Sequence, residues 1–197
     1  MILPVIFYGD PVLREKGARV EAFGTDLEKL AADMVETMHD ANGIGLAAPQ
    51  VGLSQQFFVI DIRPKKGDVQ DFELILDGKN VPAELAMPLA FANAEVELLP
   101  GEEVAYREGC LSFPGIFGEV VRREHVRVKF QDALGNAHVL ECTGLLARCV
   151  QHENDHCQGI VFPDRMSARD RLRNASKLKS LKRDTLFELK EARRKKH

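Results

Sequence analysis

The sequence predicts an α+β fold, in which mostly antiparallel strands surround a central helix and a further helix lies at the C-terminus. Two observations support this prediction: strand-like segments joined by turn residues occupy the middle of the chain, and segments of helical periodicity lie on both sides of them. The chain has 197 residues, 45% hydrophobic and 29% charged, which is typical of one globular domain. Four cysteines and no internal repeat exclude disulfide-rich and collagen-like folds.

The first predicted element is an amphipathic helix at residues 25–41, where apolar side chains recur every three or four positions. Thr25 and Glu28 have the spacing of a capping box, and Asn42-Gly43 predicts the end of the helix. The next segment, GIGLAAPQVG at 43–52, has the glycine and proline content of a loop.

The later elements follow from alternation and helical spacing. Apolar and β-branched residues predict strands, turn residues separate them, and two of them form a hairpin around residues 133–135. The predicted strands are 57–61, 72–76, 89–98, 119–132 and 136–143. Helical spacing returns at 144–158, the predicted central helix, and at about 167–193.

Charge divides the chain into two parts. Residues 165–197 contain 13 Lys and Arg against 4 Asp and Glu, whereas residues 1–164 contain 14 against 26. We therefore interpret 1–164 as the catalytic part and 165–197 as a basic C-terminal helix or tail of the same domain. No apolar run approaches the ~20 residues of a membrane span and no secretory signal is visible, so we expect a cytosolic protein without membrane or DNA partners.

The strongest chemical motif is His152-Glu153-Asn154-Asp155-His156 in the central helix. Side chains four positions apart lie on the same face of a helix, so the two imidazoles can hold one metal ion. Glu153 lies beside the first of them, where its carboxylate can serve as a general base. Two surface histidines at a polar helix end are the alternative interpretation.

A catalytic metal site needs a third protein ligand. The downstream histidine of the extended zinc-protease pattern is missing, because Cys157-Gln158-Gly159 follows the motif instead. Cys110, in Glu108-Gly109-Cys110-Leu111-Ser112, is the better candidate, although a lone cysteine can equally be a small buried residue. In the loop at 43–52, Gln50 offers an amide donor to a carbonyl or oxyanion, and the alternative is a plain turn.

Three motifs in this order, GIGLAAPQ, EGCLS and QHENDH, resemble the defining motifs of the peptide deformylase family. The resemblance extends to DPVLR at 10–14 and GIVF at 159–162, and residues 108–121 are most similar to the bacterial and plastid branch. One departure is Asn93-Ala94, where the family often has Asn-Pro, and we expect it to affect a strand end. The resemblance implies a metal-dependent hydrolase that removes the formyl group from the N-terminal formyl-methionine of nascent polypeptides and releases formate.

The resemblance also implies roles for individual residues. Cys110, His152 and His156 would hold one divalent metal ion, and Glu153 would be the general acid and base. Gln50 and the backbone N–H of Leu111 would stabilise the oxyanion. The metal would be Fe²⁺ in the cell, with Zn²⁺ or Ni²⁺ able to replace it.

A formyl carbon carries only hydrogen, so a narrow site can exclude larger acyl groups by volume. Ile44, Cys149 and the face of His152 are the candidates for the methionine pocket, with core packing as the alternative for the first two. The peptide is expected to lie extended beside Gly45 and Gly109 as an added strand. Arg148 is expected at the pocket rim or at the surface.

The basic tail has two interpretations: a solvated face of a docked helix, or a surface that binds ribosomal RNA where the nascent chain emerges. Two other functions remain open from the residues alone. One is a general metallopeptidase, for which the downstream third ligand is missing. The other is a non-enzymatic metal-binding or RNA-binding module, which would not need Glu153. The cytosol of a bacterium is the expected compartment, with an organelle as the alternative.

Overall fold

The computed structural model describes residues 1–64 and 71–195, and within them it confirms the α+β class. All strand pairs are antiparallel. The strands are β1 (Gly45–Ala47), β2 (Phe57–Ile60), β3 (Leu74–Leu76), β4 (Lys79–Asn80), β5 (Leu89–Leu98), β6 (Glu103–Gly109), β7 (Phe117–Arg123), β8 (His125–Gln131) and β9 (Ala137–Thr143). The helices are α1 (Thr25–Asp40), α2 (Ala83–Ala86), α3 (Gly144–Cys157), α4 (Phe162–Arg165), α5 (Ala168–Arg173) and α6 (Ala175–Arg194).

The described strands form one seven-stranded sheet and one hairpin. The order in the sheet is β1-β2-β5-β8-β9-β3-β4, and β6 pairs with β7 in the separate hairpin. Strand β1 therefore lies at one edge of the sheet, and β6 has one edge that β7 does not cover. The segments that contain these two strand edges line the same pocket.

Helix α3 lies between the sheet and the hairpin. Its apolar side chains Leu146, Ala147 and Val150 are fully buried in the core that Phe58 and Phe91 of the sheet also enter. Its polar face turns towards β6 and β7. This packing on both sides fixes the histidine-bearing face of α3 against the end of β6, and confirms the predicted central helix.

The prediction of one strand at 119–132 is wrong. Strand β7 ends at Arg123 and β8 begins at His125, and the two belong to different sheets. At the crossing, the N–H of Glu124 donates to the carbonyl of Glu102, and its own carbonyl accepts from the N–H of Gly144. Inward-facing residues continue at every second position through Glu124, so alternation alone gave no sign of the crossing. Strand β6, with mostly exposed side chains, was not predicted at all.

Three smaller expectations also differ from the structure. Helix α1 has Gly24 at its N-cap and no side-chain capping bond, so Thr25 and Glu28 form no capping box. The predicted last helix is divided at Asn174, whose side chain donates to the carbonyls of Phe117 and Asp170. Asn93 lies at a bulge inside β5 with φ 55°, and not at a strand end.

The C-terminal helix packs on the body through one side. Leu178 and Leu181 contact a core cluster that includes Phe113 and Phe162, and Thr185 is buried. None of the helices in the described ranges combines the length and the hydropathy that crossing a bilayer requires.

Candidate metal centre and active site

Cys110, His152 and His156 converge, although 42 residues separate the cysteine from the first histidine in the sequence. One ligand atom from each lies within 4.8 Å of the others, and the Sγ of Cys110 is 3.2 Å from Nε2 of His156. The two histidines meet because positions i and i+4 share a face of α3. Cys110 joins them because β6 ends at Gly109 and a turn begins there, closed by the Phe113 N–H donating to the Cys110 carbonyl at 2.9 Å.

The donor set fits a single divalent cation. Bonds of about 2.0–2.3 Å from one centre to imidazole nitrogen and thiolate sulfur place ligand atoms roughly 3–4 Å apart. Here the Cys110 and His156 atoms are 3.2 Å apart, and all three lie within 4.8 Å of one another. Two buried polar atoms in the same cluster, Nδ1 of His156 and Oε2 of Glu153, have no hydrogen-bond partner among the described residues. Three convergent electron-pair donors with unsatisfied neighbours indicate a cation site.

Glu108 orients the first histidine of the cluster. Its Oε2 lies 3.0 Å from Nδ1 of His152, so the opposite nitrogen, Nε2, can face the cluster. Burial opposes ionisation of Glu108, but the hydrogen bonds with His152 and Arg122 outweigh it and lower the pKa of the carboxyl to about 2. Glu108 therefore stays a carboxylate, which holds the His152 ring in one orientation.

Two buried arginines hold Glu108 in place. Arg122 donates to both of its oxygens at 2.7 and 3.0 Å, and Arg148 donates to it at 2.7 Å and to two backbone carbonyls of the hairpin. Arg148 therefore lines the pocket, as one of our two expectations had it, but it is buried with its donors bound to Glu108 and the hairpin, and it is not a surface arginine. Arg122 also donates to Asp155 of α3 at 2.9 Å.

Neither Glu108 nor the two arginines that hold it were assigned this role from the sequence. The one available signal was Arg122 itself, a charged residue at an inward-facing position between Val120 and Val126. A charge at such a position predicts a buried ion pair, but nothing in the sequence named its partners.

Glu153 lies beside the cluster with only 4% of its surface exposed. Burial raises the pKa of its carboxyl to about 7, although His152 and Arg122 oppose the shift. A carboxyl group of this pKa can both accept and return a proton near neutral pH. Gly45 makes room for it: a Cβ at this position would collide with the Glu153 carboxylate and lie 2.8 Å from the Sγ of Cys149.

The two histidines differ in basicity as protein groups. Burial opposes protonation of His152, but hydrogen bonds with Cys110 and Glu108 outweigh it and raise its pKa to about 10. Burial and the neighbouring His152 lower the pKa of His156 well below its usual value. The raised pKa keeps a proton on His152 near neutral pH, and a cation on the same nitrogen would displace it.

Gln50 is fully buried in the loop after β1, and its amide is oriented. The backbone N–H of Ala47 donates to Oε1 of Gln50 at 2.8 Å. The other end of the amide, Nε2, consequently points at the cluster, 3.4 Å from the Sγ of Cys110 and 3.3 Å from the Oγ of Ser112. This is the orientation of a donor, as the sequence predicted.

The backbone N–H of Leu111 lies in the turn that follows Cys110. Within the described residues it has no hydrogen-bond acceptor, and Leu111 lines the same pocket as Gln50. A free N–H beside the cluster can donate to an oxygen that acquires negative charge.

A pocket of about 590 Å³ opens above the cluster. All four residues predicted to bind substrate line it, namely Ile44, Gly45, Gly109 and Cys149, together with His152 and Glu153. Ile44 is 43% exposed at the rim and Cys149 is buried at the base. Of the predicted site residues, His156 alone does not line this pocket, and it lies in the cluster beneath it. The hairpin adds Tyr106, Arg107 and Phe117 to the lining.

Comparisons with known proteins agree with this geometry. A family model described as polypeptide deformylase matches residues 2–172. The peptide deformylase of Opitutus terrae is 44% identical over 188 residues, which cover 94% of this chain and 95% of that protein. The crystal structure of peptide deformylase from Thermus thermophilus is similar with a TM-score of 0.77 and 37% identity, over 93% of this chain and 99% of that one.

A structure of peptide deformylase from Synechococcus elongatus, in complex with actinonin, is similar with a TM-score of 0.73 and 37% identity, over 91% of this chain and 85% of that one. Sequence, fold and the Cys-His-His cluster lead to the same assignment. The chain belongs to the polypeptide deformylase family, metal-dependent hydrolases that remove the formyl group from the N-terminus of nascent polypeptides.

Proposed function

We propose that Cys110, His152 and His156 hold one divalent cation, and that Glu153, Gln50 and Leu111 carry out deformylation beside it. The observation that carries the proposal is the convergence of three ligand atoms within 4.8 Å under a pocket that also contains a buried glutamate. A bound cation supplies Lewis acidity at the formyl carbonyl and lowers the pKa of a water molecule. We propose Fe²⁺ as the cellular ion, with Zn²⁺ or Ni²⁺ able to replace it, because imidazole suits all three ions.

Glu153 acts as the general base and then as the general acid. It accepts a proton from the water whose oxygen attacks the formyl carbon, and it returns that proton to the peptide nitrogen as the C–N bond breaks. The products are formate and a free α-amine. The buried position of Glu153 and its pKa of about 7 support both halves of this proton transfer.

Gln50 and the N–H of Leu111 stabilise the negative charge that develops on the formyl oxygen. Two observations support these roles: Ala47 holds the Gln50 amide, and the Leu111 N–H, in the turn after Cys110, has no acceptor among the described residues. Donors that are already oriented need no reorganisation when the charge appears. Removing one such donor typically raises the activation barrier by ~2.7–4 kcal/mol.

The substrate peptide lies extended across the pocket. The methionine side chain enters between Ile44, Cys149 and the face of His152, and the backbone passes Gly45 and Gly109. The uncovered edges of β1 and β6 support this arrangement, because each leaves backbone groups that an added strand can pair with.

We further propose that residues 1–164 form the catalytic part and that residues 165–197 form a basic helical extension of the same domain. Contacts of Leu178 and Leu181 with the core cluster around Phe113 support one domain. In the cell, the enzyme acts on formyl-methionyl chains in the bacterial cytosol, or in an organelle, and the basic face of α6 attaches it to the ribosome.

An anaerobic assay of formate release from formyl-Met-Ala, with Fe²⁺, Ni²⁺ and Zn²⁺ compared, tests the assignment of the site. We expect Cys110→Ser to lower metal content and turnover together, whereas Glu153→Gln abolishes turnover and keeps the metal. Glu84→Gln, an exposed glutamate on α2, is the matched control and changes neither. Retained metal and turnover in Cys110→Ser would point instead to a peptidase-type site with a different third ligand.

A further inference from the structure

The hairpin forms a platform of three residues at the mouth of the pocket: Arg107, Gly109 and Phe117. Gly109 and Phe117 are directly opposite each other on β6 and β7. A Cβ on Gly109 would lie 2.6 Å from Cε1 of Phe117, so the ring occupies the space of the missing side chain. The guanidinium of Arg107 lies over the same ring, with its Cζ 4.9 Å from the ring centroid. All three residues line the pocket.

Arg107 carries a charge that no carboxylate in the described part of the chain neutralises. Glu119 is its register partner on β7, yet none of the ion pairs among described residues includes Arg107, and the guanidinium contacts the Phe117 ring instead. Arg122 and Arg148, by contrast, are buried and bound to Glu108. Arg107 is exposed and available to an incoming anion, and its contact with the ring holds it in place.

Nearby carboxylates do not cancel this charge. Glu108, the closest in sequence, is bound by the two arginines Arg122 and Arg148. An anion that approaches Arg107 therefore meets a guanidinium that has no ion-pair partner among the described residues, Glu119 opposite included, beside the exposed rings of Phe117 and Tyr106.

The position of Arg107 along β6 indicates which part of the substrate it meets. It lies three positions before Cys110, roughly 10 Å along an extended strand. Residues 107 and 109 share one face of β6, because side chains alternate. A peptide with its formyl group at the cluster and its backbone along β6 would bring its second and third residues past Arg107; this step rests on the proposed function above.

We propose that Arg107, held by Phe117, is a specificity-determining residue that favours formyl-methionyl peptides with aspartate or glutamate at the second or third position. The interaction is a charge pair at a partly exposed site. It should therefore change kcat/KM by a small factor, act mainly on KM, and weaken as salt screens it.

The test compares C-terminally amidated peptides, which carry no terminal carboxylate: formyl-Met-Glu-Ala-NH2, formyl-Met-Ala-Glu-NH2, and the same peptides with Gln or Lys in place of Glu. At low ionic strength we expect kcat/KM to be about three- to fivefold higher with Glu than with Gln in at least one position, and lower again with Lys. The difference should shrink in 0.5 M NaCl, where the Debye length is about 4 Å.

Arg107→Gln should bring the Glu-to-Gln ratio to one, Arg107→Lys should keep part of the preference, and Phe117→Leu should reduce it because the guanidinium loses its support. Arg19→Gln removes an exposed arginine outside the pocket and should keep the wild-type ratio. Each ratio is measured within one variant, so a general loss of activity cancels.

Two results would overturn the proposal: no preference for Glu over Gln in the wild type, or the same Glu-to-Gln ratio in Arg107→Gln as in the wild type. Failure of the proposed function is distinguishable, because then formyl-Met-Ala-Ala-NH2 would release no formate from the wild-type enzyme with any of the three metals.

Discussion

Gly45 illustrates how one missing side chain positions the proposed general base. It lies on β1, and the carboxylate of Glu153 and the Sγ of Cys149 occupy the space that a Cβ would fill. The backbone of β1 and the carboxylate therefore approach more closely than any other residue at this position would allow. The base is held between α3 and a strand edge, which limits where its oxygens can lie.

We predict that Gly45→Ala lowers kcat by about 100-fold, since a displacement near 1 Å at a catalytic group has an effect of that size. Metal content, measured by elemental analysis, should stay the same because Gly45 contacts none of the three proposed ligands. In the double variant Gly45→Ala/Glu153→Asp, the shorter carboxylate relieves the collision, so the loss should be no larger than in Glu153→Asp alone. Strictly additive losses would contradict this explanation.

At this scale, the functional residues inside short motifs could be predicted from the sequence. The residues that hold them in position from distant parts of the chain could not. Positions 152, 153 and 156 follow from helical spacing, and Cys110 and Gln50 from motifs with a recognisable composition. Glu108 was assigned no role and Arg148 was expected only at the pocket rim or the surface, because the partners of Glu108 lie 14 to 44 residues away. A pairing of that kind is set by how the hairpin docks on α3, and no local pattern encodes it.

Among the elements, the junction between the hairpin and α3 depends on one buried charge network. Arg122 of β7 donates to Glu108 of β6 and to Asp155 of α3, and Arg165 also donates to Asp155, at 2.8 Å. Arg122 and Glu108 are almost fully buried. Four elements thus meet through this network, in which only Arg165 is substantially exposed. His152, a proposed metal ligand, is bonded to the same Glu108.

Arg122→Met should lower the free energy of unfolding by about 3–5 kcal/mol, because it leaves two buried carboxylates without a main partner. Arg123→Met is a closely matched control, since Arg123 is the next residue, is more exposed, and pairs with the exposed Glu103; we expect a loss of at most about 1 kcal/mol there. Urea denaturation of the metal-free forms measures both. Equal losses of unfolding free energy in the two variants would show that burial of the network does not determine its contribution to stability.

The same junction explains which elements the sequence could not predict. Alternation predicted a strand at 119–132 but could not show that the chain changes sheets at Glu124, because inward-facing positions stay in phase across it. Strand β6 lacked alternation because most of its side chains are exposed and four consecutive residues, 106–109, line the pocket. Strand β5, which crosses the core, was predicted with its observed bounds, Leu89–Leu98.

For the whole molecule, the main feature is the separation of an acidic body from a basic C-terminal helix. One side of α6 packs on the body through Leu178, Leu181 and Thr185. A Cβ on Gly9 would lie 3.0 Å from Cβ of Thr185, so the helix backbone is close to the body. Deleting residues 174–197 would therefore remove core contacts together with charge, and it is a poor test of ribosome attachment.

Charge reversal on the exposed face of α6 is the cleaner test. Lys179, Arg183 and Lys190 are exposed and lie outside those core contacts, so we expect their replacement by glutamate to leave the melting temperature within a few degrees of the wild type. Because phosphate neutralisation by basic side chains makes binding steeply dependent on salt, the triple variant should co-sediment with ribosomes less than the wild type at low salt. The difference should vanish as salt rises.

Glutamate at Arg19, Lys79 and Lys129, which are also exposed, is the control, because it changes the net charge equally elsewhere on the surface and should leave co-sedimentation intact. If both triple variants pellet like the wild type, α6 is only a solvated helix; if both lose binding alike, net charge and not this surface drives the attachment.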